Sequence, residues 1–263
     1  MNNSHFTTNF CSYILLRNKK EITITTINMS LFMNKKLLLL LSTVTLTACG
    51  SVAIMDKSAA ISAQPELPIK TNGELFGLGS TGEFTIGGLY KGTYSRDSSG
   101  SSWFGTVSFK KGEMGVEIER LDNNRVWQLV CSGGGTSVNV GGISFGGNSP
   151  YKCSIATDNK QVGNYTISPQ AGMIDFGIEK KEAGSITVNN DTYTVETIHT
   201  SDSLMMAIEH PLGYSFKHYT TEVAALQTNG IMTLQMLPEL TEDQKDILII
   251  GSVASALSWR PEE

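Results

Sequence analysis

Histidine, cysteine and basic charge are all scarce in this sequence, and each scarcity excludes a class of function. There are 20 basic against 25 acidic side chains in 263 residues, a net of −5. Such a chain offers no basic surface for nucleic acid or for an anionic surface to act as main partner. The four histidines and four cysteines fall into no CxxC pair, no HExxH helix and no compact ligand set, so no metal centre is expected. No apolar run reaches the ~20 residues that a membrane-spanning helix needs. The glycine-rich stretch 133–147 lacks the Gly-Lys-Ser/Thr of a phosphate-binding loop, which leaves nucleotide binding unsupported.

What is present starts with an export signal. Met33-Asn34-Lys35-Lys36 forms a short basic region, and residues 37–46 are an apolar stretch of about ten residues, the length of a signal peptide core. Leu46-Thr47-Ala48-Cys49 follows, small residues set just before a cysteine, and it resembles the lipobox of bacterial prolipoproteins. That resemblance implies cleavage before Cys49, diacylglycerol on its thiol and acylation of the new amine. It also implies that Cys49 is an attachment point and not a reactive thiol. Several acyl chains, at about 0.8 kcal/mol per buried methylene, hold such an anchor stably. Gly50 stands where an aspartate would resemble an inner-membrane retention signal, which points to the outer membrane with the domain facing the periplasm. The alternative is an ordinary cleaved signal that a cysteine happens to follow. Residues 1–32 lie upstream of a complete signal, so translation is expected to start at Met29 or Met33 rather than Met1, and Cys11 is then never made.

Removing the first 48 residues leaves 215, with 15 basic and 24 acidic side chains and a net of −9. That is enough for one sizeable domain. Besides Cys49 only Cys131 and Cys153 remain, and an exported chain meets an oxidising compartment. They are expected to pair; a metal site is the weaker rival, since two lone cysteines make no zinc set.

Residues 49–72 mix small, polar and proline residues without periodicity and read as a lipidated tether. From Gly73 onward the texture changes to short runs of Val, Ile, Thr, Tyr and Phe punctuated by Gly and Asn, the pattern of an antiparallel β domain over 73–263. Candidate strands are 83–86, 89–94, 103–109, 115–120, 125–131, 151–156, 163–167, 173–179, 185–188, 193–197, 204–209, 214–218, 223–227 and 231–237. Residues 122–124 and 189–191 look like hairpin turns, because Asn and Asp tolerate positive φ. About a dozen strands predict a barrel or a sandwich.

One segment departs from that pattern. Thr241-Glu242-Asp243-Gln244 matches a capping box and opens a helix over 241–260 that is apolar or small on every face. A helix of that kind is buried in protein or lipid, and its 13 apolar residues reach only about 20 Å, short of a bilayer core. Burial inside the sheet is expected, with Gly251, Ser252, Ala254, Ser255 and Ala256 allowing close packing.

Taken with the turn and strand Leu212-Gly213-Tyr214-Ser215-Phe216, the run Glu222-Val223-Ala224-Ala225-Leu226 and the strand 230–237, this helix resembles the end of the tubby-like C-terminal domain. That superfamily includes the LURP-one and scramblase proteins. The resemblance covers residues 204–263 and implies a barrel of about twelve strands around a central hydrophobic helix. It does not extend to phosphoinositide binding, whose basic residues have no counterpart here.

Gly142-Ile143-Ser144-Phe145-Gly146 matches G-x-S-x-G, the nucleophile elbow of serine hydrolases, which requires a strand before the serine and a helix after it. Within a glycine-rich stretch it reads instead as a loop between the two cysteines. His199, His210 and His218 read as surface or turn residues, although one of them would be the base if Ser144 were a nucleophile. Glu117 and Glu119 share one strand face, which solvent explains. Tyr90, Tyr94, Trp103 and Phe104 read as core or girdle. The leading expectation is a non-enzymatic, cofactor-free envelope lipoprotein with a binding or structural role. Its expected partners are the membrane through Cys49 and either a hydrophobic ligand or an envelope protein. The alternatives are a hydrolase using Ser144 and an interaction module presenting residues 133–147.

Overall fold

The computed structural model describes residues 52–72, 81–95, 114–133, 138–140, 143–145, 150–170 and 181–258, all within a compact unit over Ser51–Glu263. Cys49, the signal, and the expected strands at 103–109 and 173–179 lie outside the described residues.

The fold is a closed antiparallel barrel of twelve strands in the order β1-β14-β13-β12-β11-β10-β9-β8-β5-β4-β3-β2, as expected for a mainly β chain. The strands are β1 (Leu67–Thr71), β2 (Thr81–Ile86), β3 (Tyr90–Ser95), β4 (Met114–Arg120), β5 (Arg125–Ser132), β8 (Tyr151–Thr157), β9 (Lys160–Pro169), β10 (Glu182–Val188), β11 (Asp191–Ile198), β12 (Gly213–His218), β13 (Thr221–Gln227) and β14 (Thr233–Met236). A separate two-stranded hairpin, β6 (Val138–Val140) with β7 (Ile143–Phe145), lies between β5 and β8 in sequence. Asn124 and Asn189 adopt φ of 54° and 53° in the two turns expected of them. Asp158 and Asn159, both at positive φ, make a further tight turn between β8 and β9 for the same reason.

Period-two alternation aims Tyr193 and Val195 of β11, Trp127 and Leu129 of β5, and Tyr214 and Phe216 of β12 into the barrel, where all are buried. The axis is filled by a helix. After a short α1 (Ala59–Ser62), the second helix α2 runs over Glu242–Ser258, and every residue from Asp246 to Leu257 is buried. Its capping box forms in both directions: Gln244 N donates to Thr241 Oγ1, and Thr241 N donates to Gln244 Oε1 at 3.0 Å. The small residues admit large barrel side chains. A Cβ placed on Gly251 would sit 2.9 Å from the Phe216 ring and 3.3 Å from Ile186 Cδ1. Each fully buried Ile or Leu of α2 contributes roughly 2 kcal/mol of burial.

Two expectations need correction. The tether over 49–72 is not loose from residue 52 on. Residues 52–63 form a strap down the outside of β12, β13 and β14, burying Met55 and Ile61, and β1 then closes the barrel between β14 and β2. Met55 N donates to Gln227 Oε1 at 2.9 Å, Lys57 Nζ to Gln235 Oε1 at 2.7 Å, Ser58 N to Glu222 Oε2 at 2.7 Å, and Gln235 Nε2 to the Gln64 carbonyl at 2.6 Å. Gln227 and Gln235, on the outer face of their strands, are buried because the strap lies over them. The second correction is that residues 204–209 form no strand. They belong to the connection 199–212, which turns through Leu204 N to Ser201 O at 2.9 Å and Ser203 N to Ser201 Oγ at 3.2 Å.

Candidate functional site

Of the expected site residues, Cys131 and Cys153 are brought together. They are direct cross-strand partners on β5 and β8 and form a buried disulfide closing a sequence separation of 22, with Cα atoms 4.0 Å apart. Both sulfurs face the barrel interior, beside Leu129 and Ile155 on the same strand faces.

Ser144 sits in the middle of β7, paired with Asn139 across the hairpin. That is a strand interior and not the strand-to-helix turn that exposes a hydrolase nucleophile. His210 is exposed before Pro211, as expected, and half-buried His218 packs its ring 5.3 Å from Tyr193 and 4.5 Å from Tyr219. His199 departs from the expectation of a surface residue, being buried. Its Nδ1 donates to the Ile208 carbonyl at 2.9 Å, and its Nε2 lies 3.0 Å from Thr197 Oγ1, which in turn accepts from Glu182 N at 2.9 Å. His199 therefore pins the connection 199–212 to the barrel wall. Among the described residues no three His, Cys, Asp or Glu side chains gather as a metal-binding set.

The barrel has two distinct ends. At the mouth, where β4 turns into β5, α2 begins and a charged cluster closes the interior. Arg120, buried although it is an arginine, donates to Asp246 Oδ1 at 3.0 Å, Glu242 Oε2 at 2.7 Å and Asp122 at 2.8 and 2.9 Å. Tyr90 Oη donates to the same Asp246 oxygen at 2.7 Å. Burial holds the Asp246 carboxyl above the ordinary carboxylate range in spite of these donors, and burial also pushes the Tyr90 hydroxyl up. The Asp122 hydrogen bond, chief among several, raises Arg120 further, so the guanidinium stays charged. Such a hydrogen-bonded network rigidifies its surroundings.

At the other end, the rim, α2 finishes. Tyr214 Oη lies 3.2 Å from Ser258 Oγ, and Tyr165 Oη 2.8 Å from Ser255 Oγ. Burial raises both phenols, which stay neutral and hydrogen-bond the helix's last turn. Because α2 occupies the axis, an apolar ligand inside the barrel would have to displace the helix.

On the outer wall, a groove of about 560 Å³ runs over β1 to β4, lined by Lys70, Glu83, Lys91, Glu117 and Glu119 around Phe84. Lys91 Nζ pairs with Glu119 at 2.9 Å, and the face carries both signs of charge. Glu117 and Glu119 are thus on the partly exposed outer face, as the alternation of β4 requires.

The rim also carries apolar side chains that sequence reasoning passed over. Met205, Met206, Ile231, Val52 and Ile54 are 103%, 69%, 71%, 52% and 54% exposed. Compared with family models, with curated proteins and with solved structures, the chain gives no significant match.

Proposed function

We propose that the chain is a lipid-anchored lipoprotein of the bacterial envelope, held by acyl chains on Cys49. In this reading its tubby-like barrel has a binding or structural role without catalysis. The observation that carries it is the ordered set of basic region, apolar core and Leu46-Thr47-Ala48-Cys49, which ends three positions before the first described residue, Val52. The fold resemblance draws support from the twelve strands closed around α2. The outer membrane, with the barrel on its periplasmic side, is the proposed location, and Gly50 supports it.

The test is the mass of the N-terminal peptide after expression in a diderm bacterium. A peptide starting at Cys49 with acyl mass is expected in the membrane fraction, and the acyl mass disappears in Cys49→Ser. An unmodified cysteine or a different N-terminus rejects the reading.

A second reading, an interaction module presenting residues 133–147, draws support from the β6–β7 hairpin, which forms its own small sheet apart from the barrel. Deleting residues 134–149 should then remove partner capture and leave the barrel folded. No comparable observation favours the hydrolase, given where Ser144 lies.

A further inference from the structure

The strap, the connection 199–212 and the connection 228–232 meet at one place on the rim. Strand direction puts the ends of β11 and β13 and the starts of β12 and β14 at this end. The strap's first residues join the connections there. The Ala53 carbonyl accepts from Asn229 Nδ2 at 3.0 Å and from Gln227 Nε2 at 3.3 Å, and Asp56 N donates to the Thr200 carbonyl at 3.0 Å. A Cβ on Gly230 would lie 2.6 Å from Val52 Cγ1. The two connections are tied to one another through Leu212, whose carbonyl accepts from Thr228 N and Asn229 N.

Of the seven exposed large apolar side chains among the described residues, five stand on these three segments. The remaining two, Leu121 and Tyr219, lie in turns at the opposite end, after β4 and β12. Scattered single apolar residues need no explanation, but a grouping at one end does. Two adjacent methionines and an isoleucine, one fully and two about two-thirds exposed, are side chains that a surface turn in water has no use for. Methionine adapts its shape to whatever it meets.

We propose that this rim docks on the bilayer surface, with Met205, Met206 and Ile231 entering the headgroup boundary beside the lipid on Cys49. The proposal rests on the lipoprotein reading. Only Gly50 and Ser51 separate Cys49 from Val52, so the three Cα-to-Cα steps reach at most about 11 Å. Val52 is held to the rim by the contacts above. An anchored barrel therefore cannot stand off from the membrane on a tether, and the end it turns to the bilayer is the end with the apolar side chains. The mouth, with Arg120, Arg125, Asp243 and Glu242, faces away into water.

The occupant is a lipid surface and not a partner protein, because the strap, which carries Val52 and Ile54 of the patch and is bonded to the two connections that carry the rest, leads directly to Cys49. Shallow insertion of this kind adds to an acyl anchor in proportion to the apolar area buried. Asp202 and Glu209 are sequence neighbours of the methionines, so the attraction is apolar and does not depend on anionic lipid.

The lipidated full chain, reconstituted in vesicles of phosphatidylethanolamine with a minor share of phosphatidylglycerol and a diazirine-bearing phosphatidylcholine, is photolysed and its lipid adducts mapped by mass spectrometry. Adducts on residues 201–209 and 228–232 should exceed those on 119–124 and 218–221 several-fold. The variant Met205→Gln, Met206→Gln, Ile231→Gln, melting as the parent does, should lose most of that excess. Even labelling of both ends on a protein with acyl mass at Cys49 overturns the docking and leaves the lipoprotein reading intact. So does an excess that the triple variant retains, which would reflect tethering alone. Rim labelling that falls as the protein is concentrated on the vesicles would point to a second copy covering the patch, and also overturns it. A protein without acyl mass on Cys49 removes both readings together.

Discussion

Arg120 and Asp246 are 126 residues apart in the chain and 3.0 Å apart in the fold, an ion pair that joins the barrel wall to the helix it encloses. Side-chain exposures of 7% and 4% keep water from replacing either partner. Removing one therefore costs the other its buried counter-charge.

Asp246→Ala is expected to destabilise the protein by about 3 kcal/mol, at the lower end for a broken buried pair because Asp122 and Glu242 still hold Arg120. Asp246→Asn, which still accepts from Tyr90, should cost less. Urea denaturation followed by tryptophan fluorescence checks both, and equal, negligible losses would mean that the cluster is ornamental.

The strap makes a prediction that a tether would not. Ile61 is fully buried, so Ile61→Ala should cost about 3 kcal/mol by lost burial and a cavity. A loose tether predicts no change in midpoint. Gln227→Ala should cost about 1 to 2 kcal/mol, because it strands the buried Met55 amide and frees the strap's upper end.

Reducing the Cys131–Cys153 bridge, or replacing both residues by alanine, should lower stability by about 3 kcal/mol through the loop it closes. Differential scanning calorimetry with and without reductant gives the answer. Because the sulfurs face inward, reduction by a mild thiol should be slow until the barrel opens.

Burial alone holds the Glu182 carboxyl above the ordinary value of 4.5. The folded state therefore binds its proton more tightly than the unfolded chain, and ionising Glu182 costs stability at neutral pH. Glu182→Gln should raise the Tm at neutral pH, and the gain should shrink to nothing as the pH falls through and below 4.5. A gain that persists in acid would have another origin.

Sequence alone made α2 legible, because its signal is local. A capping box, acids in the first turn and an apolar face all round point to one buried helix, and only its last two residues, 259 and 260, fall outside the described part. Most strands were legible from alternation, Val116 and Ile118 against Glu117 and Glu119 being the clearest. β1 was not. Leu67-Pro68-Ile69-Lys70-Thr71 looks like linker because proline interrupts a short run, and its strand character comes from partners far away, Leu234 and Ile86. The 204–209 run failed in the opposite sense. Its apolar composition imitates a strand, yet Met205 and Met206 are adjacent and both exposed, which no period-two strand with one face in a core would allow. The disulfide was legible from compartment and count. His199 was missed because nothing near it in sequence shows that Ile208 folds back over its ring.

The barrel's seam joins the beginning of the packed chain to its end. β1 pairs with β14, the strap lies across β12 to β14, and α2 follows them all. A polypeptide that emerges N-terminus first holds β1 without its β14 neighbour, and that edge waits open until some 160 further residues arrive. Sequence-distant closure of this kind makes the last sixty residues the switch for the whole fold. A chain cut short before α2 has all twelve strands and nothing to fill the axis, so the inner faces of the barrel stay without their packing partner until the last residues arrive.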